Sequence, residues 1–283
     1  MTAIALTEHG GVSSHVQLEK AALKAGIKPI FGLEAYTAPT VESDRKCHLT
    51  ILASDAEGYR SLMQLVNRSW AEGFHRYPTV TGRMLADHPE GLIVLSGCSD
   101  SLLACALLGG KMIPEEQAGK VEAIQLASNF KDLYGDRFYL ECQMFPELER
   151  SIKINRAYEA IGRRLGIPLV ATGDVHTLRP GDSEIRALLH ATGRGDNTIA
   201  QQLSSWEYDV PDYLPRSDRN VYDEEDSLVS EGVLERARRA GLSKKAAREA
   251  CANSGIIAER CNVTLPKAER FRYNGTEDDL TWS

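Results

Sequence analysis

Short apolar runs alternate with helical patterns along the first two thirds of the chain. The strand-like runs cover 3–7, 27–36, 48–53, 91–96, 138–143 and 167–172. Between them, apolar residues recur every three or four positions, which predicts helices over 14–25, 114–135 and 147–165 and from 180 onward. Two more helices are predicted, one capped by Asp55 and one capped by Ser99 or Asp100 that runs through 108. This alternation favours parallel strands with helices outside them, as an open doubly wound sheet or a barrel.

The pattern changes from about residue 197. Residues 206–221 are rich in Tyr, Pro, Asp and Arg and are typical of an ordered loop or short hairpin, whereas 227–260 is mostly helical. The polar stretch 266–283 has neither a helix cap nor an apolar face and resembles the start of a further segment. No repeat of 20–50 residues is visible, which excludes solenoids and propellers.

The composition is that of a soluble globular protein, with 42% hydrophobic and 26% charged residues. No apolar run approaches a membrane span, and the N-terminus lacks the features of a signal peptide, so a cytoplasmic protein with no membrane partner is predicted. The formal charge of −7 argues against a stand-alone nucleic-acid binder. The basic stretch 235–248 fits a solvated helix face better than a DNA-binding face.

The six cysteines indicate neither a disulfide framework nor a zinc ribbon, because the chain is predicted to be cytoplasmic and has no CxxC pair. Most are expected to be small buried fillers. Cys98 is the exception, because it follows a predicted strand.

Metal-binding residue types stand at or beside the ends of several predicted strands. They are Glu8, His9, Glu34, His48, Cys98, Asp174 and His176. In parallel α/β folds the loops after the strands converge on a common mouth, so these positions could meet in space.

Each position also has a purely structural explanation. A single histidine beside a strand is more often a satisfied polar residue, and Cys98 alone would be a filler. Asp174 and His176, two residues apart after an apolar strand, point to one side if the chain stays extended, and a metal pair is as well supported as a structural pair. Glu34 ends an apolar strand, so its carboxylate needs a metal or a basic partner.

Other polar residues carry weaker signals. Glu141 and Gln143 share one face of a strand and could line the same cavity or face solvent. The remaining histidines lack a strand-end context and are predicted to be structural: His15, His75, His88 and His190. No GxSxG elbow, Walker A loop or GxGxxG motif is present, and Gly10-Gly11 is weak evidence for a phosphate cradle.

A series of segments resembles one family in order. Residues 5–10 (ALTEHG), 25–36 (AGIKPIFGLEAY) and 48–53 (HLTILA) are followed by 57–66 (EGYRSLMQLV), 90–98 (EGLIVLSGC), 135–141 (GDRFYLE), 166–176 (GIPLVATGDVH) and 257–263 (IAERCNV). Together they look like the PHP (polymerase and histidinol phosphatase) domain family, in the form found in bacterial and phage DNA polymerase III α subunits. The resemblance runs from residue 1 to about 265.

The resemblance implies a distorted (β/α)7 barrel with a mostly helical C-terminal segment. The PHP domain would cover 1–265, with the barrel core at about 1–196 and the loop and helical segment at about 197–265. Residues 266–283 would be a linker towards a polymerase palm that the chain lacks.

The family's metal ligands fall on six positions here: His9, Glu34, His48, Cys98, Asp174 and His176. Catalytic roles would fall on Asp174, His176 and His9. A thiolate beside an imidazole favours zinc as the divalent ion, while the carboxylates admit manganese or iron. Paired divalent ions suit phosphoryl displacement at a DNA 3′ end.

Two departures from the family pattern affect these expectations. Family members begin with a strand that carries a His-x-His pair and, shortly after it, an acidic ligand, and this strand is expected upstream of residue 2. Without it, the site would lack ligands and the barrel would expose two unpaired edges. Glu8 stands where Asp is commoner, and its longer side chain could shift a hydrogen bond to His9 or to a metal.

The resulting hypothesis is a PHP domain of a DNA polymerase III α subunit, acting in DNA replication. Its site would be a metal-dependent phosphoesterase of the 3′–5′ exonuclease type, impaired by loss of the first strand. One alternative is an inactive structural module that braces the polymerase, and another is a free-standing small-molecule phosphatase. The expected partners are the rest of the replicative polymerase and, if the site is active, a DNA primer 3′ end.

Overall fold

The computed structural model describes residues 2–179, 182–194, 198, 200–201 and 230–267. The loop or hairpin predicted over 206–221 lies outside these residues, and so do Pro180 and the polar stretch from 268 onward. In the described part of the chain, no helix is long and apolar enough to cross a membrane.

In the described part of the chain, eight strands form the sheet: β1 (Ala3–His9), β2 (Lys28–Thr37), β3 (Cys47–Ala53), β4 (Phe74–His75), β5 (Tyr77–Val80), β6 (Leu92–Leu95), β7 (Phe138–Gln143) and β8 (Leu169–Thr172). Every predicted strand is present, with ends that differ by no more than two residues. The hairpin of β4 and β5 was not predicted, because its strands are too short to show a period.

Nine helices are described: α1 (His15–Lys24), α2 (Ala56–Ala71), α3 (Gly82–Asp87), α4 (Leu102–Leu108), α5 (Lys120–Tyr134), α6 (Glu149–Leu165), α7 (Ser183–Arg194), α8 (Ser230–Arg239) and α9 (Lys244–Arg260). The helix predicted to start at Pro114 begins later. Pro114 precedes a short 3-10 turn at Glu115–Gln117, and α5 starts only after Gly119.

Helix caps show one correct and one wrong prediction. Asp55 caps α2 as predicted, because its carboxylate accepts the N–H groups of Glu57 and Gly58 at 3.0 and 2.9 Å. For α4 the cap is Ser101, which accepts the N–H of Ala104 at 3.2 Å, rather than Ser99 or Asp100. The residues before Ser101 instead form a loop that carries Cys98.

The sheet runs β4-β5-β2-β3-β6-β7-β8, and β1 pairs with β2. The expectation of parallel strands throughout is wrong at β3, which is antiparallel to both β2 and β6. The connection 38–46 contains no helix, so the chain reverses directly instead of crossing over. The sheet curls into a half-barrel with helices, which confirms the predicted distorted barrel with a mostly helical C-terminal part.

Both faces of the curled sheet are buried. The larger hydrophobic cluster includes Leu33, Ile51 and Tyr158 and joins the sheet to α2, α5 and α6. A second cluster includes Leu52, Ile93, Leu95, Val170 and Ile257, and there α9 packs against the opposite face of the strands.

The two outer strands of the half-barrel differ in how their backbone groups are satisfied. On β8, Asn253 donates to the carbonyl of Leu169 at 2.6 Å and Ser254 to that of Ala171 at 2.9 Å, so α9 covers this edge. On β1, no described residue hydrogen bonds to the outward backbone groups, which belong to Ala3, Ala5, Thr7 and His9. Of β1 and β8, only β1 therefore has an outward edge without hydrogen-bond partners among the described residues, where two such edges were predicted.

Candidate metal centre

Strand pairing brings three predicted ligands together at one end of the sheet. The parallel register of β1 and β2 sets His9 opposite Glu34. The antiparallel register of β2 and β3 sets Tyr36 opposite His48, two residues along from Glu34. Because side chains two apart on a strand share a face, Glu34 and His48 point into the same space.

The resulting imidazole–carboxylate cluster consists of His9, Glu34 and His48. Glu34 Oε2 lies 3.2 Å from His9 Nε2, and Oε1 lies 3.0 Å from His48 Nδ1. One ligand atom from each residue lies within 4.8 Å of the others. Glu34 is only 8% exposed, so the basic partner expected for its carboxylate is present in the form of two imidazoles.

The other three predicted ligands lie around this cluster on loops. Cys98 Sγ is 3.9 Å from His48 Nδ1, and the rings of His9 and His176 are 6.2 Å apart between centroids. Asp174 Oδ1 lies 3.8 Å from His176 Nδ1, which also contacts the Asp174 carbonyl oxygen at 2.7 Å. All six predicted residues therefore surround one mouth, and three of them form a compact group.

The backbone at Asp174 is strained. Its φ is +42°, in the left-handed region that non-glycine residues rarely occupy. Such strain persists only where surrounding contacts hold it and is typical of functional positions.

The charges of the cluster oppose the effect of burial on the pKa of Glu34. Burial raises the pKa of Glu34, but the hydrogen bond from His48 and the charges of His48, His9 and His176 outweigh it and lower the pKa below its usual value. For His9, burial lowers the pKa although Glu34 pulls it upward. An ionised carboxylate beside a neutral imidazole is the protonation state that a metal ion requires.

The pKa values of the loop-borne acids, Asp174 and Cys98, shift in the opposite direction to that of Glu34. Burial raises the pKa of Asp174 despite the opposing charge of His176 and the hydrogen bond from Gln143. The pKa of the Cys98 thiol is raised well above its usual value by burial and by the charge of Asp174. A metal ion that binds the Cys98 sulfur must therefore displace a proton.

The donor set fits a divalent ion. Nitrogen donors from His9 and His48 and an oxygen donor from Glu34 are close enough to share one ion, and the Cys98 sulfur lies beside His48. Such mixed nitrogen, oxygen and sulfur donors are typical of zinc sites.

Tyr36 forms an aromatic wall that the ligand predictions did not include. Its ring stacks on His9 at 5.7 Å and meets the edge of His48 at 5.3 Å. It therefore orients both imidazoles. The available signal was its position two residues after Glu34 on the same strand, which places both side chains on one face.

Glu141 and Gln143 face the site rather than solvent. They are 6% and 5% exposed, and Glu141 lines a cavity of about 710 Å³ together with His9, Glu34 and Asp174. Burial raises the pKa of Glu141 to about 7, with a further contribution from the charge of Asp174. The two alternatives left open by the strand pattern are thus decided in favour of the cavity.

The suggested contact of Glu8 with His9 or a metal is absent. Glu8 instead accepts hydrogen bonds from the side chain of Ser13 and from the backbone and side chain of Ser14, each at 2.9 Å. Alternate residues of a strand point to opposite faces, so Glu8 lies away from His9 and stabilises the start of α1. His15 is structural as predicted, because it is buried with Nε2 3.0 Å from the Gly32 carbonyl oxygen.

Comparison with known proteins places this site in a family. The PHP domain family model matches residues 1–144. The chain belongs to the PHP domain family. This PHP domain is 32% identical to the DNA polymerase III subunit alpha of Chlamydia trachomatis, over 93% of the chain and 22% of that protein. It is 32% identical to that of Treponema pallidum and 29% identical to that of Thermus aquaticus, over 94% and 96% of the chain.

The chain spans about a fifth of the length of these curated relatives. The match over nearly the whole chain agrees with the resemblance seen in the ordered segments.

Proposed function

We propose that this PHP domain acts in DNA replication within a polymerase of the DNA polymerase III α type, and that its mouth is a divalent-metal phosphoesterase site for a DNA 3′ end. The observation that carries the proposal is the imidazole–carboxylate cluster, with Cys98 beside it. The relatives, all named as polymerase subunits, support the replicative setting.

His9, Glu34 and His48 would hold the ion, with Cys98 as a further donor, and zinc suits this set best. A divalent ion there would supply Lewis-acid stabilisation of a phosphoryl oxygen. Asp174 and His176 lie on the opposite side of the mouth, where the raised pKa of Asp174 lets its carboxyl hold a proton more readily than an exposed aspartate. Tyr36 and Glu34 keep the two strand-borne imidazoles in fixed orientations.

A second function is favoured by the limited size of the cluster. Among the described residues, only His9, Glu34 and His48 bring their ligand atoms within 4.8 Å of one another. One tightly held ion would brace the ends of β1, β2 and β3 without providing a complete reaction site. In that case the domain would support the polymerase structurally, with the rest of that protein as its partner.

Metal analysis and a nuclease assay on the same preparation separate these functions. We expect about one tightly bound divalent ion per 283-residue chain after gel filtration, as for a single site with nitrogen, oxygen and sulfur donors. Release of the terminal nucleotide from a 3′-labelled single-stranded oligonucleotide would be followed with added zinc or manganese. Glu34→Gln should lose both the ion and any activity, whereas the exposed Glu90→Gln should keep them.

The outcomes are distinct. Activity that depends on Glu34 supports the phosphoesterase, and a bound ion without activity supports the structural module. A chain that binds no ion, or whose ion is unaffected by Glu34→Gln, contradicts both.

A further inference from the structure

Strand β7 supplies no predicted ligand, yet its polar side chains lie between two loops that do. Glu141 and Gln143 are two residues apart on β7 and so share the face that lines the mouth. One ligand-bearing loop follows β6 and carries Cys98, and the other follows β8 and carries Asp174. Gln143 contacts both loops, and Glu141 contacts the Cys98 loop and Thr172, the last residue of β8.

The loop with Cys98 is held on both sides of the cysteine. The N–H of Gly97 donates to Glu141 Oε2 at 3.2 Å, and the N–H of Ser99 donates to Gln143 Oε1 at 3.2 Å. These residues directly flank Cys98, so the two hydrogen bonds determine how far the thiol reaches towards His48.

The end of β8 and the loop with Asp174 that follows it are held by the remaining polar atoms of the same side chains. Thr172 Oγ1 donates to Glu141 Oε1 at 2.8 Å, and Gln143 Nε2 donates to Asp174 Oδ2 at 2.8 Å. The second hydrogen bond is made to Asp174, which is itself a predicted metal ligand. It also supports the strained backbone at Asp174, whose φ is +42°.

Glu141 and Gln143 are themselves anchored. Thr50, which pairs with Glu34 in the sheet, donates its hydroxyl to Glu141 Oε2 at 3.1 Å. The Glu141 N–H donates to Ser96 Oγ at 2.9 Å, and Asn155 donates to the Gln143 carbonyl oxygen at 2.9 Å. The Glu141 carboxylate is therefore also held by β3, and the backbone of the two β7 residues is held by Ser96 and by α6.

We propose that Glu141 and Gln143 are positioning residues that clamp the Cys98 and Asp174 loops to one another across β7. The inference rests on the proposed metal site for its consequence, but the clamp itself is defined by hydrogen bonds within the chain. Without the clamp, the imidazole–carboxylate cluster would stay in place while Cys98 and Asp174 would lose their fixed distance from it.

The amide of Gln143 suits this role in a way that a carboxylate does not. Its oxygen accepts from the Ser99 N–H while its nitrogen donates to the Asp174 carboxylate, and these two partners assign the amide orientation. Gln143→Glu keeps the acceptor for Ser99 but replaces the donor to Asp174 with a like charge. Gln143→Ala removes both contacts.

Amide hydrogen exchange, measured by NMR on the metal-free chain, tests the clamp directly. Gln143→Ala should speed exchange of the Ser99 amide about 10-fold or more, equivalent to loss of one buried hydrogen bond, and should leave the Gly97 amide protected. Gln143→Glu should keep the Ser99 amide protected. Gln125→Ala, which removes an exposed glutamine from α5, is the matched control.

Co²⁺ titration of the same variants tests the consequence. Both Gln143 variants should bind Co²⁺ about 10- to 100-fold more weakly than wild type, as found when a partner that orients a ligand is removed. Gln143→Glu should keep the thiolate-to-cobalt absorption, because its Cys98 loop stays held, whereas Gln143→Ala should weaken that absorption. If Gln143 had a purely structural role, its variants would change the free energy of unfolding but would not differ from each other in thiolate-to-cobalt absorption.

Several results would overturn the inference. If the Ser99 amide exchanges at the same rate in Gln143→Ala as in wild type, the clamp does not exist, whether or not metal binds. If Ser99 exchange is faster in Gln143→Ala but its Co²⁺ affinity and absorption spectrum equal those of wild type, the contacts have no effect on the metal site. If wild type binds no Co²⁺ at all, the proposed metal function fails, and the positioning of ligands fails with it.

Discussion

The strand-borne and loop-borne halves of the mouth are built differently. His9, Glu34 and His48 stand on β1, β2 and β3, where backbone pairing sets their mutual positions. Cys98 and Asp174 stand on loops, outside any ladder. The positions of the first half are set by strand pairing, whereas the positions of the second depend on side-chain contacts with β7.

The pKa shifts of the two halves also differ. The pKa of Glu34 is lowered, because two imidazoles outweigh its burial. The pKa values of Cys98 and Asp174 are raised, with burial as the largest cause. Burial therefore opposes the charged, metal-binding forms of Cys98 and Asp174, whereas the carboxylate form of Glu34 is favoured by its imidazole partners.

The largest effect is expected from breaking the strand-borne half. His48→Ala should weaken zinc binding at least about 1,000-fold, or about 4 kcal/mol, because it removes a nitrogen donor and a partner of Glu34. Competition titration with a chromophoric chelator measures this. His75→Ala, at an exposed histidine, should bind zinc as wild type does. A loss of less than 10-fold for His48→Ala would contradict a site centred on this half.

The next largest effect concerns the pH dependence of the unfolding free energy, which arises from the buried carboxyl of Glu141 on β7. The pKa of Glu141 is raised to about 7, so the folded metal-free chain holds this proton more tightly than the unfolded chain. Its contribution to stability is therefore present at low pH and is lost as pH rises towards 7 and above. Between about pH 5 and about pH 8, wild type should lose about 2 to 3 kcal/mol of unfolding free energy relative to Glu141→Gln.

Urea unfolding of both proteins at the two pH values checks this prediction. Glu34 is expected to act in the opposite direction, because its lowered pKa adds stability that is lost as pH falls. Comparing wild type with Glu141→Gln cancels that contribution. A difference between the two proteins that does not change with pH would contradict a carboxyl at Glu141 whose pKa is raised by burial.

A smaller effect is expected from the loop-borne half. His176→Ala should weaken zinc binding about 10-fold or less, or about 1.4 kcal/mol, because its ring lies outside the compact cluster. The same competition titration compares it with His48→Ala. Equal losses for the two variants would remove the distinction between the halves.

The smallest effect concerns the helix that follows the Cys98 loop. Ser101→Ala removes the cap of α4 and should cost about 1 kcal/mol of unfolding free energy. Urea denaturation measures this cost, and Ser101→Thr should restore most of it. Zinc affinity should fall only slightly, since Gly97 and Ser99 remain bound to β7.

Much of the fold could be predicted because its strands carry apolar runs or alternate apolar and polar residues. The strands predicted over 27–36 and 138–143 match the observed ones closely, although 138–143 alternates as a half-exposed strand would and is buried throughout. The direction of β3 could not be predicted in this way, since strand orientation depends on the path of the connecting loop. The short hairpin at Phe74–Val80 carries too few residues for a period to be visible.

The site shows a similar division. Residue type and strand-end position marked seven candidates, and the family resemblance reduced them to six ligands. Pairing in the sheet then brings three of these together, namely His9, Glu34 and His48. The contacts of Glu8 and Gln143 depend on which side chains approach from distant segments, and no local pattern encodes that. Sequence alone therefore identified candidate ligands but not the side chains that position them.

Anomalous diffraction from a zinc-soaked crystal tests the central claim most directly. The predicted result is one strong anomalous peak in the mouth, within bonding distance of His9, Glu34 and His48 and beside Cys98. A peak at Asp174 and His176 alone, or no peak in the mouth at saturating zinc, would contradict a metal centre built on the paired strands.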